Sequence, residues 1–199
     1  MPLSQAVKLE EFKAVSGKFV QELETRAADD LAAQEALAKL EPKLAELEGG
    51  GLVDAGALTG ALRRIHPEFG EALKIAANDP VVGIEQLRGL AGGDDAYLAS
   101  EAGYYTARLL IGQERFEEAL PLLEKLRGDW KDSTLRSGES LYYQGVCNAN
   151  MLQRTAAADN LNGFVENYPD ASPRLVGAAW DLIASLERVH RGSLSLIHI

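Results

Sequence analysis

The sequence predicts an all-α protein made of antiparallel helix pairs stacked along the chain. The apolar residues are mainly Ala and Leu, and aromatic residues make up only 7% of the chain, a composition that favours helix over sheet. The stretch from Glu101 to Lys131 contains two amphipathic segments joined by a polar turn, with large apolar residues at helical spacing. Small residues also recur at a nearly constant distance, as expected of a repeated helix pair.

The spacing of those small residues defines the repeat. Three second segments open on small residues that are 36 and 38 positions apart: Gly83, Ala119 and Ala157. Three first segments carry small residues that are 38 and 39 positions apart: Ala107, Gly145 and Ala184. We expect these to be the places where two helices approach closely. Regular spacing of this kind is what stacked helix pairs produce.

Two stretches carry the clearest pattern. The first, Glu101–Lys131, includes QERFEEAL at its turn and second segment; the second, Glu139–Pro169, leads into FVENYPDASP. Both resemble the tetratricopeptide repeat (TPR), a helix–turn–helix unit of about 34 residues. The resemblance extends over residues 67–191, with a degenerate unit at Pro67–Leu90 and a last unit cut short after its first helix, Leu175–Arg188. It implies a right-handed superhelix.

The resemblance also implies a binding surface. In TPR arrays the first helix of each pair lines a concave groove that binds extended peptides or helices. Residue by residue, the carry-over predicts that the following side chains face the groove: Glu101, Tyr104, Arg108, Ile111, Tyr142, Val146, Ala149, Asn150, Asp181, Ser185 and Arg188. The alternative for Tyr104 and Tyr142 is packing between repeats.

Residues 1–48 read as a separate helical segment. Ser4 can cap a long N-terminal helix, or two shorter helices, whose apolar residues recur in steps of three and four. A coiled coil that pairs with a second chain is the alternative. Pro42 predicts a break near residue 40 followed by a short helix to residue 48. Three glycines then mark a boundary, so that residues 49–66 form a linker and a short helix.

The end of the chain looks foreign to the repeats. Residues 192–199, which finish in SLSLIHI, resemble translated sequencing-adapter read-through rather than a capping helix. We therefore expect residues 192–199 to be a non-native tail and His198 to have no role.

Charge and composition exclude several functions. A net charge of −10 and a pI near 4.8 disfavour nucleic acid and anionic membrane as partners. Cys147 is the only cysteine, which predicts a small buried hydrophobe rather than a reactive thiol. The glycines at 51 and 56 lack the Lys-Ser/Thr that a phosphate loop requires. Neither His66 nor His190 has neighbours that would complete a metal site. The sequence thus predicts no cofactor, no metal and no catalysis.

We therefore predict a non-catalytic scaffold or adaptor that binds another protein or peptide in the groove. The alternatives are a bacterial cell-envelope TPR protein that assists cell division or outer-membrane machinery through an oligomerising N-terminal helix, and a regulatory or docking fragment of a larger enzyme. No signal peptide is visible and no apolar run is long enough to insert into a membrane. The chain is predicted to be cytoplasmic, or periplasmic if residues precede Met1.

Overall fold

The computed structural model describes residues 9–48 and 55–195, and all regular secondary structure within them is α-helical. In chain order the helices are α1 (Leu9–Ala27), α2 (Leu31–Glu48), α3 (Ala55–Ile65), α4 (Pro67–Asn78), α5 (Pro80–Ala91), α6 (Ala96–Gly112), α7 (Phe116–Arg127), α8 (Ser137–Asn150), α9 (Arg154–Asn167) and α10 (Pro173–Ser195). Consecutive helices pack on one another. The expected all-α array of helix pairs is confirmed, with pairs α4–α5, α6–α7 and α8–α9 followed by α10.

The N-terminal segment is a pair of helices rather than one long helix. Asp30 ends the turn after α1, and its carboxylate accepts hydrogen bonds from the backbone N–H groups of Ala32 and Ala33 at the start of α2. The expected break at Pro42 is wrong, because α2 continues through it to Glu48. Pro42 and Ala38, the residue one turn before it, are both exposed, so water can reach the carbonyl group that loses its helical partner.

Local sequence signals set the starts of several helices. Pro67 occupies the first turn of α4, where the missing N–H has no helical partner to lose. Asp79 accepts hydrogen bonds from Val81 N–H and Val82 N–H and so caps α5. Asp95 caps α6 in the same way. Ser4, residues 49–54 and residues 196–199 lie outside the described residues.

Small residues do lie where the two helices of a pair approach. A Cβ added at Gly145 of α8 would lie 2.6 Å from Cγ of Leu161 on α9, so the Leu161 side chain packs directly against the glycine backbone. Ala119 and Ala157 are fully buried. The expectation for Ala184 is wrong: it is exposed on α10, since no described helix follows α10 to pack against that face.

Helix α1 crosses the edge of the array on which consecutive pairs are connected. Its Arg26 lies 3.8 Å from Asp95 in the α5–α6 connection. Further along the edge, Lys18 lies 4.0 Å from Asp132 in the α7–α8 connection. At the far end, Tyr168 after α9 donates a hydrogen bond to Glu11. A helix rises about 1.5 Å per residue, so α1 spans about 22 Å between its outer contacts and braces three consecutive connections.

Apolar side chains hold α1 in this position. Phe12, Val15, Phe19 and Leu23 are buried in one core together with residues of α2, α3 and α4. The ring of Phe19 also packs on the ring of Tyr97 at the start of α6, with centroids 4.8 Å apart. Residues 9–48 therefore belong to the same packed body as the helix pairs they cross.

Candidate partner-binding surface

A buried ionic network lies beneath the first helices of the array. Arg136, just before α8, donates hydrogen bonds of 2.8 and 3.1 Å to the two carboxylate oxygens of Glu101 on α6. Its guanidinium also reaches Glu139 of α8 at 3.5 Å. Thr59 of α3 donates to Glu101 and accepts from Arg136. The network thus joins α3, α6 and α8 by groups that are almost completely buried.

Tyr104 connects that network to the surface. Its hydroxyl donates a hydrogen bond to Glu139, and the guanidinium of Arg136 lies 4.6 Å from its ring centroid. Burial, followed by the negative charge of Glu139, raises the pKa of Tyr104 well above its ordinary value. Burial disfavours the charge on Arg136, but the Glu101 and Glu139 carboxylates outweigh it and raise the pKa of Arg136. Arg136 therefore remains a cation and Tyr104 a neutral hydrogen-bond donor.

Arg108 lies at the outer end of this chain of contacts. Its Nη1 is 3.4 Å from the Tyr104 hydroxyl, one helical turn earlier. Its guanidinium stacks over two rings, 5.8 Å from the centroid of Tyr104 and 5.3 Å from that of Tyr143. The Arg108 side chain is only half-buried. A cation is thus held by aromatic rings in a fixed orientation while part of it stays accessible.

The sequence-predicted groove residues divide into two groups. Glu101 and Tyr104 are each 1% exposed and contact the network rather than solvent. The others remain half-buried or exposed along α6, α8 and α10; we call them the partner strip: Arg108, Ile111, Tyr142, Val146, Ala149, Asn150, Asp181, Ser185 and Arg188. Within the strip, Tyr142 packs against Tyr143 and Phe164.

Sequence reasoning missed two residues that support this surface from below or beside it. Tyr143 forms one side of the Arg108 stack, and Arg136 supplies the buried cation. Neither occupies the expected groove stripe. A signal was present, since Glu101 and Tyr104 recur 38 positions later as Glu139 and Tyr142. The repeat of a carboxylate and an aromatic at one spacing could have indicated a shared network between repeats.

The described residues offer little for other chemistry. Within residues 9–48 and 55–195, no three His, Cys, Asp or Glu side chains are grouped to hold a metal ion. None of the helices in this part of the chain is both long and apolar enough to cross a membrane. Cys147 is fully buried as expected, and burial raises the pKa of its thiol to about 11.

Consecutively packed helix pairs with close small-residue contacts define an all-α helical-repeat protein. Comparison with protein families places the repeat more narrowly: a tetratricopeptide-repeat family model matches residues 139–171, which cover α9 and all but the first two residues of α8. Residues 139–171 are thus similar to a tetratricopeptide repeat, in keeping with the consecutively packed helix pairs, and such a repeat suggests a role in protein–protein interaction. Comparisons with curated proteins and with solved structures found no match.

Proposed function

We propose that this protein is a non-catalytic interaction module that binds a peptide or helix of another protein along the partner strip. The observation that carries the proposal is the half-exposed Arg108 stacked on Tyr104 and Tyr143. Arginine and tyrosine are enriched among the residues that dominate binding energy at interfaces. Because the two rings orient the Arg108 side chain before binding, that side chain loses less conformational freedom when a partner binds.

The intramolecular packing limits where the partner can lie. Thr59 of α3 covers Glu101, so the start of the α6 stripe is occupied by the chain itself. The strip becomes accessible at Arg108 and continues over Val146 and Asn150 towards the exposed Arg188. A partner segment would therefore cross the later parts of α6 and α8 and then α10.

The alternative of oligomerisation through an N-terminal helix has less support. Phe12, Phe19 and Leu23 of α1 and Leu40 of α2 are each at most 2% exposed in the chain's own core. A coiled coil through the same residues would first have to remove them from that core. Each large apolar side chain taken out of a core costs about 1.5–3 kcal/mol.

Site-specific photocrosslinking in the source cells tests the proposal. A benzoylphenylalanine at Asn150 should capture a discrete partner, and one at Val82, an exposed position at the start of α5, should not capture it. Arg108→Ala should reduce the yield at position 150. Arg115→Ala, which removes a charge from the surface pair with Glu118, should leave it unchanged. Equal capture at both positions, or insensitivity to Arg108→Ala, would contradict the proposal.

A further inference from the structure

His66 is the single residue between α3 and α4. Its Nε2 lies 2.9 Å from Oδ2 of Asp95, and its Nδ1 lies 3.1 Å from Oε1 of Glu68. Asp95 is in the connection before α6, 29 positions further along the chain. The imidazole therefore joins the last helix of the N-terminal block, α1–α3, to the start of the second helix pair.

The protonation state of His66 decides how many of these bonds can form. A neutral imidazole has one N–H, and its other nitrogen is only an acceptor. Ionised carboxylates are also acceptors only, so a neutral ring can satisfy either Asp95 or Glu68 but not both. The imidazolium donates to both at once, in two charge-assisted hydrogen bonds. A ring with a carboxylate at each nitrogen is thus arranged for the protonated form.

The charged groups around His66 also favour its protonated form. The Asp95 carboxylate also caps α6 and lies 3.8 Å from Arg26 of α1. Arg26 is shared with Asp30, at 3.7 Å, and with Glu22, at 4.0 Å. Together with Glu68 of α4, the cluster contains four carboxyl groups: Glu22, Glu68, Asp30 and Asp95. Arg26 is the fixed cation in these contacts, and protonation of His66 supplies a second positive charge.

We propose that His66 is a proton-operated pin. When His66 is an imidazolium, its hydrogen bonds connect the α3–α4 junction to the start of α6 and so stabilise the packing of α1–α3 on the repeats. When the ring is neutral, one of these hydrogen bonds is lost and that packing is weaker. The device goes beyond partner binding and does not depend on it. Because α1 braces three connections between pairs, the pin links proton concentration to the rigidity of the array that carries the partner strip.

The direction in which stability changes with pH follows from the pKa of His66 in the folded protein. The hydrogen bond to Asp95, against the opposing effect of burial, and then the contacts with Glu68 raise the pKa of His66 above its ordinary 6.5. A group whose pKa is raised by folding stabilises the folded state fully below its unfolded pKa and loses that effect as the pH rises through the folded pKa. The hold should therefore be strong at pH 6 and weaker at pH 8.

Burial, followed by the Asp95 charge, raises the pKa of Glu22 as well. The folded state therefore also loses stability as the pH rises through the pKa of Glu22, at more acid pH than for His66. The pKa of Asp95 is lowered: burial opposes this, but the hydrogen bond and charge of His66, together with the hydrogen bonds from the backbone N–H groups of Leu98 and Tyr97, outweigh it. The stabilisation from Asp95 is lost only below its ordinary 3.8, outside the pH 6–8 window.

Native-state hydrogen exchange at pH 6 and pH 8, corrected for intrinsic exchange, tests the pin. Backbone amides of α1 and α3 should lose protection at pH 8 by up to about tenfold for each unit by which the folded pKa exceeds the unfolded one. Amides of α9, which lies at the other end of the array, should lose less. A proton NMR titration should place the His66 pKa above 6.5, with His66→Gln identifying its signal.

Three variants separate the pin from general effects of pH. His66→Gln should make the α1 and α3 protection the same at both pH values. Glu68→Gln should reduce the difference while the protein stays folded, because an amide can donate to the neutral ring and Glu68 is 54% exposed. Glu71→Gln makes the same charge change on α4 at the exposed pair with Lys74 and should retain the wild-type response. A wild-type response in His66→Gln, equal loss in α9, or a His66 pKa at or below 6.5 would overturn the proposal.

Discussion

The guanidinium of Arg136 and the carboxylate of Glu101 form a buried two-point ion pair, with N–O distances of 2.8 and 3.1 Å, between the residue before α8 and the first half of α6. The two side chains are 8% and 1% exposed. Either charge alone would be buried without compensation, so this pair stabilises the folded protein only while both partners are present. It fixes how one helix pair sits on the next.

Removing Arg136 should therefore be far more damaging than removing an exposed arginine. Arg136→Ala leaves the Glu101 and Glu139 carboxylates buried together, and we expect the free energy of unfolding to fall by about 3–5 kcal/mol. Urea denaturation followed by circular dichroism measures the change. Arg115→Ala, at an exposed turn, should scarcely alter the midpoint; similar losses for the two variants would contradict the role of the network.

The glycines of the array should divide according to the space around them. Gly145→Ala places a methyl group 2.6 Å from Leu161, and overpacking of about 1–3 kcal/mol should exceed the gain of up to about 1 kcal/mol in helix propensity. Gly177→Ala on α10 meets nothing within 4 Å and should stabilise the protein by roughly 0.5–1 kcal/mol. Thermal unfolding of the two variants should thus shift in opposite directions. Parallel shifts would refute the close approach of α8 and α9.

The hydroxyl of Tyr168 should hold the start of α1. Tyr168→Phe removes its 3.2 Å hydrogen bond to Glu11 while keeping the ring stacked on Phe164. We expect a loss of about 1 kcal/mol, concentrated in the first turns of α1, as measured by hydrogen exchange. Tyr97→Phe is the matched control: its hydroxyl contact with the Val15 carbonyl is 3.5 Å long, at the limit of a hydrogen bond, so a smaller loss is expected. The reverse order would argue against the Tyr168 contact.

Cys147 should be inert in the folded protein. Burial raises the pKa of its thiol to about 11, so very little thiolate is present at pH 8, and the side chain is fully buried. Reaction with a disulfide reagent such as Ellman's reagent should be slow in buffer and rapid in denaturant. The rate in buffer should rise in Gly145→Ala, which loosens the same helix; fast labelling of the native wild-type protein would disprove this account.

For much of the site, the sequence could predict which residues lie on the first helices but not which of them other segments would bury. Sequence spacing places Arg108, Val146 and Asn150 on first helices, because helical periodicity is a local property, and their side chains are half-buried or exposed. It also placed Glu101 and Tyr104 in an open groove. Periodicity alone could not show that Thr59, 42 positions earlier, and Arg136, 35 positions later, would bury them. Sequence spacing also gave His66 no partner, since Asp95 lies 29 positions further along the chain.

The all-α architecture, the length of the repeat and the close approach at Gly145 follow from the sequence pattern, since they depend on side-chain periodicity and residue size along neighbouring segments. Three features depend instead on packing in three dimensions: residues 9–48 fold back as two helices, α2 continues through Pro42, and α1 contacts three connections between helices. The same packing also decides which first-helix residues stay accessible. These outcomes depend on burial of apolar surface and pairing of charges between segments far apart in the chain, and no local pattern records which distant segment will supply the partner.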